Sequence, residues 1–209
     1  MNGTVPTVFV VDDDPSVLRG ARRLLRSAGI ATKVFASPQE FLANHRPEAT
    51  GCVILDLAMP GLDGLQVQQV LSDRGSLLPI IFLTGHGDIP ASVLAMKRGA
   101  VDFLTKPVDD ESLLTAIRQA IRRCAVLRQE RQEVADIEAR LATLTPRERE
   151  VLVHLLSGQL NKQIAADLGT VEKTVKVHRA RIMQKMRAPT LAVLVRLAER
   201  AGVAAAPSA

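Results

Sequence analysis

The chain has 209 residues, 47% of them apolar and 23% charged, so it can bury a core and suits one large domain or two small ones. Aromatic residues make up only 2%, with no Trp or Tyr, which argues against an RNA or single-strand binder working by base stacking. The net charge of +5 is uneven: residues 1–122 hold 12 Lys and Arg against 13 Asp and Glu, while residues 123–209 hold 15 against 9, so only the second half is expected to meet a polyanion.

The predicted elements begin with Val8–Val11, a β-branched apolar run ending abruptly at Asp12. Residues 15–28 place Val17, Leu18, Ala21, Leu24, Leu25 and Ala28 at helical spacing, with Asp14 as N-cap, Pro15 at the first helical position and Gly29 behind. Ala31–Phe35 is a weaker strand, and Ser37-Pro38 opens another helix. Cys52–Leu55 and Pro79–Leu83 repeat the first pattern and end at Asp56 and Thr84. Residues 90–98 read as a helix, Val101–Leu104 as a fifth strand and residues 109–122 as a fifth helix. Continuous apolar strands are what a parallel sheet covered on both faces requires, so this half is a doubly wound, flavodoxin-like α/β fold with five parallel strands.

From Arg122 to Thr143 the chain is rich in Arg, Glu and Gln, and Leu127, Val134, Ile137, Leu141 and Leu144 form a partial heptad broken at Arg131. This is a helical linker whose stripe either pairs with a second copy or forms one side of a solvated helix. Beyond Thr145-Pro146 come short helices over 146–157, 161–168, 171–186 and 190–200, then an Ala-rich tail, Val203–Ala209, expected to fray. Cys52 and Cys124 follow no metal spacing, and Cys52 reads as a buried free thiol. No signal peptide is visible and no apolar run is long enough to span a bilayer, so a cytoplasmic protein without a membrane partner is expected.

Ligands of doubly wound sheets bind beyond the carboxyl ends of the strands, where Asp12, Asp13, Asp56 and Thr84 all fall. Three carboxylates this close repel one another unless a hard divalent cation joins them, and Mg²⁺ suits an oxygen-only set. An Asp carboxylate can attack phosphorus to give an aspartyl phosphate; Lys106, after the fifth strand, is placed to neutralise the developing charge, and Thr84 to hydrogen-bond the phosphoryl group.

Val10-Val11-Asp12-Asp13-Asp14-Pro15, Leu55-Asp56-Leu57-Ala58-Met59-Pro60-Gly61, Leu83-Thr84-Gly85-His86-Gly87-Asp88 and Phe103-Leu104-Thr105-Lys106-Pro107 resemble, in order, the motifs of response-regulator receiver domains, and the Thr84–Asp88 stretch resembles the FixJ subgroup. The resemblance covers roughly residues 5–122. It implies Asp56 as phosphoacceptor, Asp12, Asp13, Asp56 and the Ala58 carbonyl as Mg²⁺ ligands, Thr84 and Lys106 as phosphoryl-binding groups, Phe103 as an aromatic switch, and a Lys106–Pro107 bond that is often cis. Ala58 departs from the subgroup, which often carries a larger polar or basic side chain there, so phosphate lifetime does not transfer.

In the second half, Ile164-Ala165 and Leu168-Gly169, followed by Val171 and Val175, form a helix-turn-helix pattern whose second helix carries Lys173, Lys176, Arg179, Arg181 and Lys185. Lys173, Lys176, Val177 and Ala180 share a face suited to a major groove, while Val175, Ile182 and Met186 face inward. Leu144–Leu152 and Thr174–His178 resemble the LuxR-type domain of NarL and FixJ regulators over about residues 140–201. That resemblance implies base contacts from Lys176 and Val177, and phosphate or positioning contacts from Asn161, Lys162, Lys173, Thr174 and Arg179. Ala180 stands where some members place a Lys, with Arg181 as a neighbouring substitute. It also implies that residues 190–200 dimerise on DNA.

Together these readings imply a receiver domain at 1–122, a linker at 123–143 and a DNA-binding domain at 144–209. The expected function is a transcription factor charged on Asp56 by a sensor histidine kinase with Mg²⁺, dimerising through roughly residues 90–120 and acting on promoter DNA and RNA polymerase. It is not expected to be a turnover enzyme; the receiver catalyses only its own phosphorylation and dephosphorylation. Two alternatives stand beside it. A haloacid-dehalogenase-type phosphohydrolase also uses an Asp nucleophile, but requires an acid two residues on, where this chain has Ala58. The other is a constitutive DNA binder with a vestigial receiver.

Overall fold

The computed structural model describes residues 5–85 and 89–204; His86, Gly87 and Asp88 of the fourth-strand motif, and residues 205–209 of the tail, lie outside them. The chain divides into two compact units, Met1–Arg128 and Gln129–Ala209. The first contains β1 (Thr7–Val11), α1 (Pro15–Ser27), β2 (Ala31–Phe35), α2 (Pro38–Asn44), β3 (Gly51–Leu55), α3 (Gly64–Asp73), β4 (Ile80–Thr84), α4 (Ile89–Lys97), β5 (Asp102–Thr105) and the start of α5 (Asp110–Ala142).

The five strands pair in parallel in the order β2-β1-β3-β4-β5. Successive residues of a strand face opposite sides, so β1 sends Phe9 and Val11 into one core with Phe41, Val53, Leu55 and Phe82. It sends Val8 and Val10 into the other, with Leu25, Ile54, Ile81 and Ile117. Every residue of β3 and β4 is buried, which explains their unbroken apolar sequence. The strand order reverses between β1 and β3, so the crevice for a ligand opens at the ends of these two strands, beside Asp12 and Asp56.

Three features depart from the sequence reading. β5 starts one residue later than expected, because Val101 spends its N–H on the Ile80 carbonyl and the register begins at Ile81 with Asp102. Helix α3, for which apolar spacing marks no range, is opened by a reciprocal cap: Asp63 accepts from the Gln66 N–H and Gln66 accepts from the Asp63 N–H. Helix α5, expected to end at residue 122, continues to Ala142; no Gly or Pro interrupts it. Its residues through Arg128 count with the first unit, where Cys124 is buried and Arg128 donates to the Ala49 carbonyl at 2.9 Å.

The second unit takes the rest of α5, then α6 (Pro146–Leu156), α7 (Asn161–Asp167), α8 (Glu172–Met186) and α9 (Leu191–Arg200). Ile137, Leu141 and Leu144 of the linker stripe are buried in this unit's core with Leu152, Ile164, Val175, Ile182 and Met186. That end of the stripe is therefore committed within the chain and does not serve pairing with a second copy. Val203, expected in a frayed tail, donates its N–H to Ala198 and packs on the same core.

Candidate functional site

β1 and β3 lie side by side in register and each ends in an acid, so adjacency in the sheet brings Asp12 and Asp56 together although 43 positions separate them. The Asp56 N–H donates to the Val11 carbonyl at 3.0 Å, continuing the ladder by one step. One carboxylate oxygen from each of Asp12, Asp13 and Asp56 lies within 4.8 Å of the others, with Asp12 and Asp56 buried and Asp13 exposed. The donor set is all oxygen, small and open on the Asp13 side, which fits a hard dication that keeps part of its water shell. Asp14 is a helix cap, as the sequence suggests: its carboxylate accepts from the Ser16 N–H at 2.7 Å.

Lys106 follows β5, and its Nζ reaches Asp12 Oδ2 at 2.6 Å and Asp56 Oδ2 at 3.2 Å. The Lys106–Pro107 bond is cis, and the Lys106 N–H donates to the Thr84 carbonyl at 2.7 Å, joining the ends of β4 and β5. Thr84 itself is buried at the end of β4. One oxygen of each carboxylate is already engaged by backbone: Asp12 Oδ1 accepts from the Asp14 N–H and Asp56 Oδ1 from the Leu57 N–H. Burial raises the pKa of Asp12 above the carboxylate norm, and the Lys106 hydrogen bond offsets this only in part. Burial also acts against the charged Lys106, but its hydrogen bonds and attraction to Asp12 and Asp56 outweigh that and raise its pKa. Among the described residues, one ammonium thus meets Asp12 and Asp56 beside a third carboxylate, Asp13, and the cluster remains short of positive charge.

Ala58 is exposed two residues beyond Asp56, and Phe103 is half-buried on β5 with its ring centroid 6.0 Å from that of Phe82. Cys52 is free and wholly buried, its thiol pushed up to about 12 by desolvation, so it is inert.

In the second unit, Gly169 takes a left-handed φ of 60° between α7 and α8, and Thr170 closes the end of α7 by donating to the Ala165 carbonyl. Val175, Ile182 and Met186 are buried, so the opposite side of α8 meets solvent. Lys173, Lys176, Val177, Ala180 and Arg181 are exposed there, as is Lys162 on α7. Thr174, Asn161 and Arg179 are half-buried, and Arg179 donates to Asn161 Oδ1 at 3.4 Å, tying α8 to α7. Lys176 pairs with Glu172 one turn back, an exposed contact easily exchanged for another anion. Lys185 does not belong to this surface: its Nζ lies 2.6 Å from the buried Glu148 and also donates to the Thr143 carbonyl.

Residues 8–118 match the family described as the response regulator receiver domain, and residues 142–198 match the bacterial regulatory proteins of the luxR family. Nodulation protein W of Bradyrhizobium diazoefficiens is 46% identical over 97% of this chain and 89% of its own length. A solved structure of the response regulator StyR is 48% identical, with a TM-score of 0.82 over 94% of this chain and 100% of its own. Full-length FixJ from B. japonicum is 43% identical, with a TM-score of 0.59 over 95% and 98%. The chain belongs to the response regulators. It joins a receiver domain to a LuxR-type domain.

Two residues of this response regulator escaped the sequence reading. Gly64 opens α3 directly behind Asp56: a Cβ there would stand 2.5 Å from the Asp56 carbonyl oxygen and 2.9 Å from the Phe82 ring. Glu148 is a buried acid that completes a reciprocal cap with Thr145. Both carry a local signal, Asp63-x-x-Gln66 around Gly64 and Thr145-x-x-Glu148. Neither signal reveals the long-range partner.

Proposed function

We propose that this response regulator takes a phosphoryl group on Asp56 from a sensor histidine kinase and then binds promoter DNA as a dimer. The observation that carries this is the convergence of Asp12, Asp13 and Asp56 with the Lys106 ammonium at one corner of the sheet. Asp12, Asp13, Asp56 and the Ala58 carbonyl would hold Mg²⁺, which supplies the dication that offsets the carboxylates and the phosphoryl oxygens. Asp56 Oδ2, the oxygen not held by the Leu57 N–H, forms the new bond to phosphorus as the bond to the donor's imidazole nitrogen breaks, its electron pair staying on that nitrogen. Lys106 exchanges an Asp56 contact for a phosphoryl oxygen, and Thr84 turns its hydroxyl to the same group. Space left by Thr84 lets Phe103 move inward against Phe82, altering the surface of α4, β5 and α5 on which a second copy docks.

On this reading the receiver domain is residues 1–122 and the DNA-binding domain residues 144–209, with the helical segment 123–143 between them. Lys176, Val177, Ala180 and Arg181 meet base edges or adjoining phosphates, while Asn161, Lys162, Lys173, Thr174 and Arg179 hold the helix on the backbone. The protein turns over no substrate beyond its own phosphoryl group, works in the cytoplasm and acts through RNA polymerase. Dimerisation joins two weak DNA binders and multiplies their affinity.

The test compares operator-length DNA binding by wild type and Asp56→Asn, with and without a small phosphodonor. Donor is expected to tighten wild-type binding by roughly tenfold or more and to leave the variant unchanged. Undiminished donor-stimulated binding by Asp56→Asn would rule this reading out, and operator binding that donor leaves unchanged in both proteins would favour the constitutive DNA binder.

A further inference from the structure

The charge count of the first unit, near zero, conceals an uneven distribution along the chain. Helix α1, Pro-Ser-Val-Leu-Arg-Gly-Ala-Arg-Arg-Leu-Leu-Arg-Ser, contains four arginines and no acid. Arg19, Arg22, Arg23 and Arg26 stand at i, i+3, i+4 and i+7, which is one stripe of a helix, about 10 Å long at 1.5 Å per residue. All four are exposed, on the side away from the buried Leu18, Ala21 and Leu25. None makes an ion pair or a side-chain hydrogen bond among the described residues.

Folding does not account for the stripe. Like charges at these spacings repel along the helix, and of the four only Arg26, in the last turn, is favoured by the helix dipole. Gly20, within the same helix, weakens it further, yet nothing stands within 4 Å of where its Cβ would be. It lines a cavity of about 470 Å³ with Val17, Arg23, Leu24 and, from the start of α5, Asp110, so the backbone beside the stripe is left uncovered. Two local choices that oppose the helix in one place, the like charges and Gly20, indicate selection for a contact outside it.

We propose that the α1 stripe, Arg19, Arg22, Arg23 and Arg26, binds the phosphate backbone of double-stranded DNA without sequence preference. The proposal rests on the reading of the second unit as a DNA binder. A guanidinium meets a phosphate through two parallel hydrogen bonds, and all four cations of the stripe are arginine, none lysine. A duplex held by α8 is presented to the first unit of the same chain at raised effective concentration, so a weak contact there counts.

The experiment titrates salt against binding of the full-length protein to a mixed-sequence duplex of several helical turns. It compares wild type, the fourfold variant Arg19→Gln/Arg22→Gln/Arg23→Gln/Arg26→Gln, the corresponding fourfold Arg→Lys variant, and Lys173→Ala/Lys176→Ala in α8. Each phosphate contact contributes about 0.9 to the slope of log affinity against log salt, so the Gln variant should lose roughly 2 to 4 from the wild-type slope while the Lys variant keeps most of it. Adduct formation with a small phosphodonor, unchanged in the Gln variant, verifies that its receiver is folded. A wild-type slope in the Gln variant overturns the proposal, and if transfer from a kinase slows at the same time, an acidic protein surface is the partner of the stripe instead. The α8 variant reports separately on the underlying reading, because its loss of slope is expected whether or not α1 takes part.

Discussion

Two buried carboxylates, one in each unit, sit 2.6 Å from a lysine ammonium and are 2% exposed, yet their pKa values move in opposite directions. Asp12 is raised, because burial dominates and a second carboxylate, Asp56, shares the Lys106 ammonium. Glu148 is lowered, because the Lys185 hydrogen bond outweighs burial and the Thr145 N–H adds to it. The first pair is an unbalanced cluster that gains from a further cation. The second is a balanced clasp that holds α8 to the start of α6. Burial of a charge therefore marks chemistry in one unit and architecture in the other, and the sign of the shift separates them.

The largest effect should follow from breaking the balanced clasp. Glu148→Ala removes the partner of Lys185 and one half of the cap, and should cost about 2–3 kcal/mol in the unfolding of the second unit by urea. Asp12→Asn, which removes one of the repelling charges and keeps an acceptor for Asp14, should leave the metal-free first unit at least as stable as wild type. Equal losses in both variants would erase the distinction.

Gly64→Ala should destabilise the first unit by about 1–3 kcal/mol, since its Cβ meets the Asp56 carbonyl oxygen, a backbone atom that cannot yield without moving the site. Thermal unfolding with and without Mg²⁺ measures both consequences. A variant with wild-type stability and wild-type cation response would show that the close approach is not needed.

The clasp also has a pH signature. Glu148 has a folded pKa below the unfolded value of 4.5, so its contribution is fully present above pH 4.5 and lost as the pH falls through the lower folded value. The stability gap between wild type and Glu148→Gln should therefore be constant from pH 7 to pH 5 and close in more acid urea titrations. A gap that opens on acidification would reverse the assigned direction. The smallest expected change is that of Lys176→Ala on the exposed face of α8, a drop of about 1 in the salt slope of DNA binding with little effect on stability.

Sequence carried the receiver unit well because its chemistry lies at strand ends. Continuous apolar runs announce the buried strands, and the first polar residue after each is placed by the sheet order itself, so Asp12, Asp56 and Thr84 are found without knowing a contact. Caps written within four residues, such as Asp14 with Ser16, are equally legible. What stayed hidden depends on residues far apart in the chain. Lys185 reads as one more cation of a basic helix until Glu148, 37 positions away, is seen beneath it. The stripe through Ile137, Leu141 and Leu144 is read correctly as apolar, but its occupant is the core of its own unit. The near-neutral count of the first unit averages an acidic corner against the arginines of α1, and only the fold reveals that all four of these are exposed.

The most direct test of the central claim is the intact mass of the protein after incubation with a small phosphodonor, with and without Mg²⁺, beside Asp56→Asn. A single phosphoryl adduct that requires Mg²⁺ and is absent from the variant is the predicted result. An adduct of equal yield in Asp56→Asn, or no adduct in wild type with either the small donor or a kinase, would contradict the account of the acidic corner.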